Sequence, residues 1–228
     1  PAWRKGRCNA PGTASDHANL IWAALRLYQA TNQHRFLKDA ENLTRSLNEH
    51  YWLATEHRYA TSAEDTSDVI VRLASGTDDA TPNANGIMVS NLAALTLITG
   101  NLDYVQQAAQ IVDSFGPELA GNLIGYTGLL AAEYDLSRPQ IIATFVNEHS
   151  NGDELIDAIR KVGLPGALEF TFTGEDKNLP PALSKKAASE GTAAASYICI
   201  GPQCSLPITE ADNLAETLRD QRRHPETA

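Results

Sequence analysis

The chain has 228 residues, a formal net charge of -10 and a pI near 5.0. That length bounds it to one large domain or a domain with an appendix. The acidic balance repels phosphate backbones and anionic lipid, so nucleic acid and membrane surfaces are not expected partners. No apolar run approaches the roughly 18 residues that span a bilayer. Three cysteines, Cys8, Cys199 and Cys204, are too few for a disulfide scaffold and fit a reducing, cytoplasmic setting.

Positions 1–14 read as a loop without the hydrophobic middle of a signal peptide. The chain starts without a Met and mid-pattern, so a fragment, a processed chain or part of something longer is expected. A helix over 15–31 follows, capped by Ser15 or Asp16, with Leu20, Ile21, Ala24, Leu25, Leu27 and Tyr28 at helical spacing. A second helix over 35–51 carries Phe36, Leu37, Ala40, Leu43, Leu47 and Tyr51 as a stripe, with charged residues opposite. The two form a helical hairpin. Residues 52–77 lack helical period and hold the β-formers Val69, Ile70 and Val71, which suggests a long excursion with a short hairpin.

The pattern then recurs. Residues 83–99 form an apolar helix, with Thr81 as its cap, Pro82 at its first turn and Gly100 at its end. A more polar helix covers 102–115, and a third apolar segment spans 121–134. The segments LRLYQATNQHRFLKDAENL and LAALTLITGNLDYVQQAAQIV share a layout, which makes an internal repeat of roughly 70 residues, longer than the short solenoid repeats.

Composition changes after 137. QIIATFV over 140–146 and ALEFTFT over 167–173 read as strands, with a helix over 152–162 capped by Asp153 between them. A polar loop over 177–190 leads to a third strand over 194–200. A last helix runs from Thr209 to about Arg219, and 221–228 reads as a disordered tail. The expected fold class is mainly α over 1–137, with a small α/β unit over 138–220.

Several motifs resemble one family. Asp78, Ala80, Pro82 and Asn85 match a D-x-A-x-P-S-x-N signature ahead of a Leu-rich helix. Asn83 stands where the family has Ser, and Asp79 where Gly is usual. Asp16 and Ala18 match a D-Y-A segment in which His17 replaces Tyr. Tyr197, Cys199, Cys204 and Pro207 match a Y-V-C…C-x-x-P ending. In order and spacing, nearly the whole chain resembles the DUF255 family of thioredoxin-domain-containing, spermatogenesis-associated protein 20-like proteins.

The resemblance implies an N-terminal thioredoxin-like domain, absent from this sequence, and an (α/α)6 toroid like those of six-hairpin glycosidases and sugar epimerases. Fewer than three hairpins are present here, so a partial arc is expected. The missing thioredoxin-like region or a second copy of the chain would be its partner. The implied activity is sugar epimerisation or isomerisation, or glycoside cleavage, on a small sugar. The alternative is a non-catalytic binding scaffold or pseudoenzyme linked to a thioredoxin-like redox domain.

Asp16, His17 and Asp78 are the candidate catalytic groups, because acids and a histidine at helix entrances suit proton transfer. Arg72, Asp79, Asn83 and Asn85 are the candidate substrate-binding groups. Each has a plain structural alternative: helix capping for the Asp and Asn residues, a surface or packed position for His17, and an ion pair with Asp78 or Asp79 for Arg72. Trp22 and Trp52 stack on sugars or, more simply, fill the core. Cys199 and Cys204, with four residues between them, are not a C-x-x-C redox centre. They read as a strand-end thiol and a loop thiol within pairing reach. No metal site or cofactor is expected, and no phosphate loop, H-E-x-x-H or G-x-S-x-G is present.

Overall fold

The computed structural model describes residues 3–8, 11–67, 69–147, 152–176, 178–186 and 194–223. It is mainly helical, with a small four-stranded sheet. The chain divides into two units. One comprises 1–28, 33–96 and 101–137; the other comprises 29–32, 97–100 and 138–228.

The first unit opens with a two-residue hairpin, β1 (Trp3–Arg4) and β2 (Arg7–Cys8), where a loop was expected. Helices α1 (Ala14–Thr31) and α2 (His34–Tyr51) follow, close to the expected bounds. Strands β3 (Trp52–Leu53) and β4 (Arg58–Tyr59) make the short hairpin of the excursion. It does not form at Val69, Ile70 and Val71. These lie outside any strand, with Ile70 98% exposed.

Helix α3 (Ala84–Thr99) is apolar around much of its surface and largely buried. It ends at Gly100, whose φ of 75° is the left-handed conformation that glycine adopts freely. Helix α4 (Leu102–Ser114) is capped by Asn101, which accepts the Asp103 N–H at 2.9 Å. The third apolar segment, expected over 121–134, is not continuous. Helix α5 (Gly116–Gly121), a 3-10 turn over Leu123–Tyr126 and α6 (Thr127–Ser137) follow one another. Asn122 makes the break by accepting the Gly125 N–H at 3.1 Å.

Neighbouring helices in this unit are tied by polar bonds as well as apolar burial. Asn91 on α3 donates to the Ala18 carbonyl on α1 at 2.9 Å. Asn48 on α2 and Gln107 on α4 exchange bonds at 3.0 and 3.3 Å. Ser90 on α3 donates to Asp135 on α6 at 2.9 Å. Around these ties Ile21, Leu25, Tyr28, Leu47, Met88, Leu92, Ile111 and Leu129 are buried. Arg58 pairs with Glu118 at 2.9 Å and lies over the Phe115 ring.

The second unit holds β5 (Gln140–Phe145), α7 (Asp153–Val162), β6 (Leu168–Phe172), β7 (Ala195–Ile200), β8 (Gln203–Cys204) and α8 (Ala211–Arg223). The strand order is β6-β5-β7-β8. β5 runs parallel to β6, with α7 as the crossover, and antiparallel to β7. As the central strand, β5 is buried along its whole length, which its run of β-branched residues fits. Leu155, Ile159, Val162, Leu214 and Leu218 of the two helices share a core with Ile142 and Ile198 of the sheet. Strand β8 was not expected. Helix α8 also continues through 221–223, part of the expected tail, while 224–228 lie outside the described residues. Cys199 and Cys204 are directly opposed in the β7–β8 register and form a disulfide.

Candidate functional site

The polar residues singled out in the sequence gather at helix entrances of the first unit, in two separate networks. The first is centred on Asp78. Gly76 leads into it, held so close to the Phe115 and Tyr126 rings that a Cβ would stand 2.7 Å from each. The Asp78 N–H then donates to the Gly125 carbonyl at 2.8 Å. Its carboxylate accepts four hydrogen bonds. Oδ1 takes the Asn83 N–H and the Asn83 side-chain amide, both at 3.0 Å. Oδ2 takes the Thr127 hydroxyl at 3.0 Å and the Gly128 N–H at 2.6 Å. One side chain thus satisfies free N–H groups at the start of two helices.

Asn83 is the cap of α3: its Oδ1 accepts the Gly86 N–H at 2.8 Å. The cap is therefore neither Thr81 nor a proline-led turn, and Pro82 precedes it. Gly86 lets α3 and α6 approach closely, since a Cβ there would stand 3.1 Å from the Leu129 nitrogen. Asn85 is buried. It accepts the Tyr59 N–H at 2.8 Å and donates to the carbonyls of Tyr59 and Ser75 at 3.1 and 3.0 Å. That bond set locks β4 and the 75–77 segment to the entrance of α3. Asp79 is exposed, and its side chain bonds to no described residue.

The second network belongs to α1. Thr13 and Asp16 form a reciprocal capping box. Asp16 Oδ2 accepts the Thr13 N–H at 2.8 Å and hydroxyl at 2.7 Å, and the Asp16 N–H donates to Thr13 Oγ1 at 3.2 Å. The cap is thus Thr13, with Asp16 in the first turn. His17 Nδ1 lies 3.0 Å from the Thr13 carbonyl, and its ring packs on Tyr51 at 5.0 Å. Tyr51 in turn donates to the Gly12 carbonyl at 2.8 Å. Arg72 pairs with neither Asp78 nor Asp79. Its guanidinium donates to the Ser62 and His50 carbonyls at 3.2 and 2.7 Å.

The electrostatics follow from these bonds. Burial pushes the Asp78 carboxyl up, but the bonds from Gly128, Asn83 and Thr127 outweigh it and hold it below its ordinary value. Burial likewise raises Asp16, the Thr13 bonds lower it, and the net direction is again down. Both groups are thus held as carboxylates, acceptors already engaged and poorly placed to donate or take a proton near neutrality.

Three residues outside the expected site stand apart from this pattern. Burial raises the Asp135 carboxyl above its ordinary value, although the Ser90 bond and the Arg26 charge both lower it. Trp22, expected in the core, is 48% exposed, with the Arg26 guanidinium 5.6 Å over its ring. Trp52 is half-buried against the Tyr59 ring. Sequence reading passed over Ser90; the signal that could have found it is its place, beside Asn91, in the middle of an otherwise apolar helix, where polar groups are expected to have partners.

No protein-family model matches the chain. Among curated proteins it is similar to spermatogenesis-associated protein 20 of Homo sapiens, 24% identical over 214 residues, covering 91% of this chain and 27% of the human protein. It is 28% identical over 208 residues to an uncharacterized protein of Caenorhabditis elegans, covering 89% of this chain and 28% of that one. The Rattus norvegicus spermatogenesis-associated protein 20 is 23% identical over 214 residues, covering 91% and 27%. The chain thus spans about a quarter of the length of these relatives. The similarity extends over nearly the whole chain and supports a spermatogenesis-associated protein 20-like relationship.

Proposed function

We propose that the helical unit is a non-catalytic binding scaffold, part of an α/α-toroid-type assembly completed by chain outside this sequence. One observation carries the reading. Asp16, Asp78 and Asn83, which a sugar-processing site would use at the helix entrances, are engaged in capping, and Asp78 in particular is saturated by four donors. A carboxylate so bonded orders the helix starts. To act as an acid or base it would have to break the packing it maintains.

Two further observations support the assembly. Successive hairpins are bonded side by side, α1 to α3, α2 to α4 and α3 to α6. The relatives also carry about three times as much additional chain as the portion matched here. A thioredoxin-like region or a second copy of the chain is the partner proposed for the rest. No helix among the described residues is long and apolar enough to cross a membrane. A cytoplasmic setting is part of the same proposal.

The test compares turnover with folding. Pyranose sugars incubated with the wild-type chain are followed by proton NMR, and Asp78→Asn and His17→Gln variants are melted in parallel. The scaffold reading expects no sugar conversion by any of them and a lowered melting temperature for Asp78→Asn. Conversion by the wild type that either variant abolishes, at an unchanged melting temperature, would establish the epimerase or glycosidase reading instead.

A further inference from the structure

We propose that the Cys199–Cys204 pair is a reversible thiol–disulfide exchange site, opened at Cys204 by a thiol reductant of the glutathione type. The site lies in the second unit and is independent of the scaffold reading of the helical one.

The two sulfurs differ in access. Cys199 belongs to β7, inside the sheet, and is 1% exposed. Cys204 belongs to β8, the two-residue strand at the edge of the sheet, and is partly exposed. An incoming thiolate therefore reaches the bond from the Cys204 side. A disulfide with one accessible sulfur is attacked there, and the other sulfur departs as the thiolate.

The hairpin does not depend on the crosslink. The Ser205 N–H donates to the Ile198 carbonyl at 2.9 Å, and the Ile198 N–H donates to Ser205 Oγ at 3.1 Å. Ser196 and Ile208 exchange both backbone bonds, at 2.8 and 2.9 Å. The β7–β8 register is thus held when the sulfurs part. A crosslink over so short a loop also restricts the unfolded chain little, which leaves little free energy to resist reduction.

The reduced state has its partners in place. Cys204 Sγ lies 3.6 Å from the Ala182 carbonyl oxygen. A disulfide sulfur has no hydrogen to donate, so this approach becomes a hydrogen bond only in the thiol form. Lys186 holds the same turn against the hairpin. Its ammonium donates to the Ser205 carbonyl at 3.4 Å and lies 5.0 Å from the Tyr197 ring centroid. Cys199 as a free thiol remains a small apolar group in a buried strand. A structural crosslink needs neither a hairpin already closed without it nor an acceptor set for a thiol.

The exchange balances in two steps. The first reductant thiolate attacks Cys204 Sγ, and the S–S bond breaks with its electron pair leaving on Cys199 Sγ. Burial favours the neutral thiol there, so Cys199 takes a proton from water. A second thiolate then attacks the reductant's sulfur in the mixed disulfide and frees Cys204, which is protonated in turn. Two electrons pass to the cysteine pair, and two reductant thiols become one disulfide. Oxidised glutathione runs the sequence backwards.

The experiment uses the full 228-residue chain in mixtures of reduced and oxidised glutathione, with free thiols alkylated and counted by intact mass. The expected result is a pair that opens and recloses reversibly with the glutathione ratio while the far-ultraviolet circular dichroism stays unchanged. A pair that stays closed in a large excess of reduced glutathione until the chain is denatured is a structural crosslink and overturns the proposal. A pair that never closes in oxidised glutathione overturns it too. The direction of attack is read in a Cys8→Ser background. With Cys199→Ser, the remaining Cys204 should take up glutathione from its disulfide at least about tenfold faster than Cys199 does in Cys204→Ser. Equal or reversed rates overturn the assignment of Cys204 as the attacked sulfur. The wild-type titration needs no variant, so the proposal stays decidable even where a serine variant misfolds.

Discussion

The carboxylate of Asp78 and the backbone N–H of Gly128 meet at 2.6 Å, which joins the loop ahead of α3 to the first turn of α6. They are fifty residues apart in sequence. The bond belongs to a set in which one acid caps two helices, so the entrance of α3 is ordered partly by a helix that begins far downstream. Its consequences are measurable.

Asp78→Asn keeps the shape of the side chain but turns an NH2 group toward N–H and O–H donors on one side. About 2–3 kcal/mol of stability should be lost, as expected when charge-assisted bonds give way to unsatisfied donors. The pH dependence has a definite sign. The folded carboxyl is held below the ordinary value of 3.8, so the unfolded chain binds its proton more readily. The contribution is complete above that value and is lost as the pH falls through the lower, folded one. Denaturant unfolding across the acid range should show this limb in the wild type and a shallower one in Asp78→Asn.

Gly128→Ala tests the same contact from the other side. Helix propensity alone predicts a gain of about 1 kcal/mol for alanine. Here the added Cβ would stand 2.7 Å from one Asp78 oxygen and 3.1 Å from the other. The loop must shift, and the net effect should be a destabilisation of about 1–3 kcal/mol. A more stable alanine variant in chemical denaturation would show that the Asp78 contact carries little.

The sequence made α3 readable and left its cap ambiguous, and the reason is physical. A Leu-rich run ending in glycine specifies a buried helix by itself. The stretch D-D-A-T-P-N before it offers several cap formers. The choice of Asn83 follows from Asp78 being drawn to Thr127 and Gly128, a contact that no local pattern contains. The same holds for Asp16. Its role at the start of α1 was legible as capping or catalysis, but the partnership with Thr13 decides which the geometry favours. Trp22 keeps helical spacing with the buried residues of α1, yet its exposure depends on which neighbours lie beside that face. Strand β8 has two residues, too few for any periodicity, and emerges only through pairing with β7.

Asn85→Ala should be among the most damaging single changes in this unit. It strips partners from the Tyr59 N–H and from the Tyr59 and Ser75 carbonyls in a buried place. A loss of about 2–4 kcal/mol is expected. Asn85→Asp should do no better at neutral pH, since a carboxylate there faces two carbonyl oxygens. It should recover partly in acid, where the protonated group regains a donor. Thermal melts of both variants at neutral and acidic pH check the ordering.

The Cys199–Cys204 bond closes a loop with only four residues between its ends, across a register that β7 and β8 already hold by hydrogen bonds. Chain entropy for so short a loop gives about 2 kcal/mol, less than for long crosslinks. Reduction should therefore lower the melting temperature modestly without abolishing folding, and Cys204→Ser should behave like the reduced protein. The sequence has three cysteines, so unreduced, denatured protein should show one reactive thiol, Cys8, and reduced protein three. Three thiols before reduction would mean that the pair stays open in solution. The melting curve should then be indifferent to reductant, as the expected reducing compartment would require.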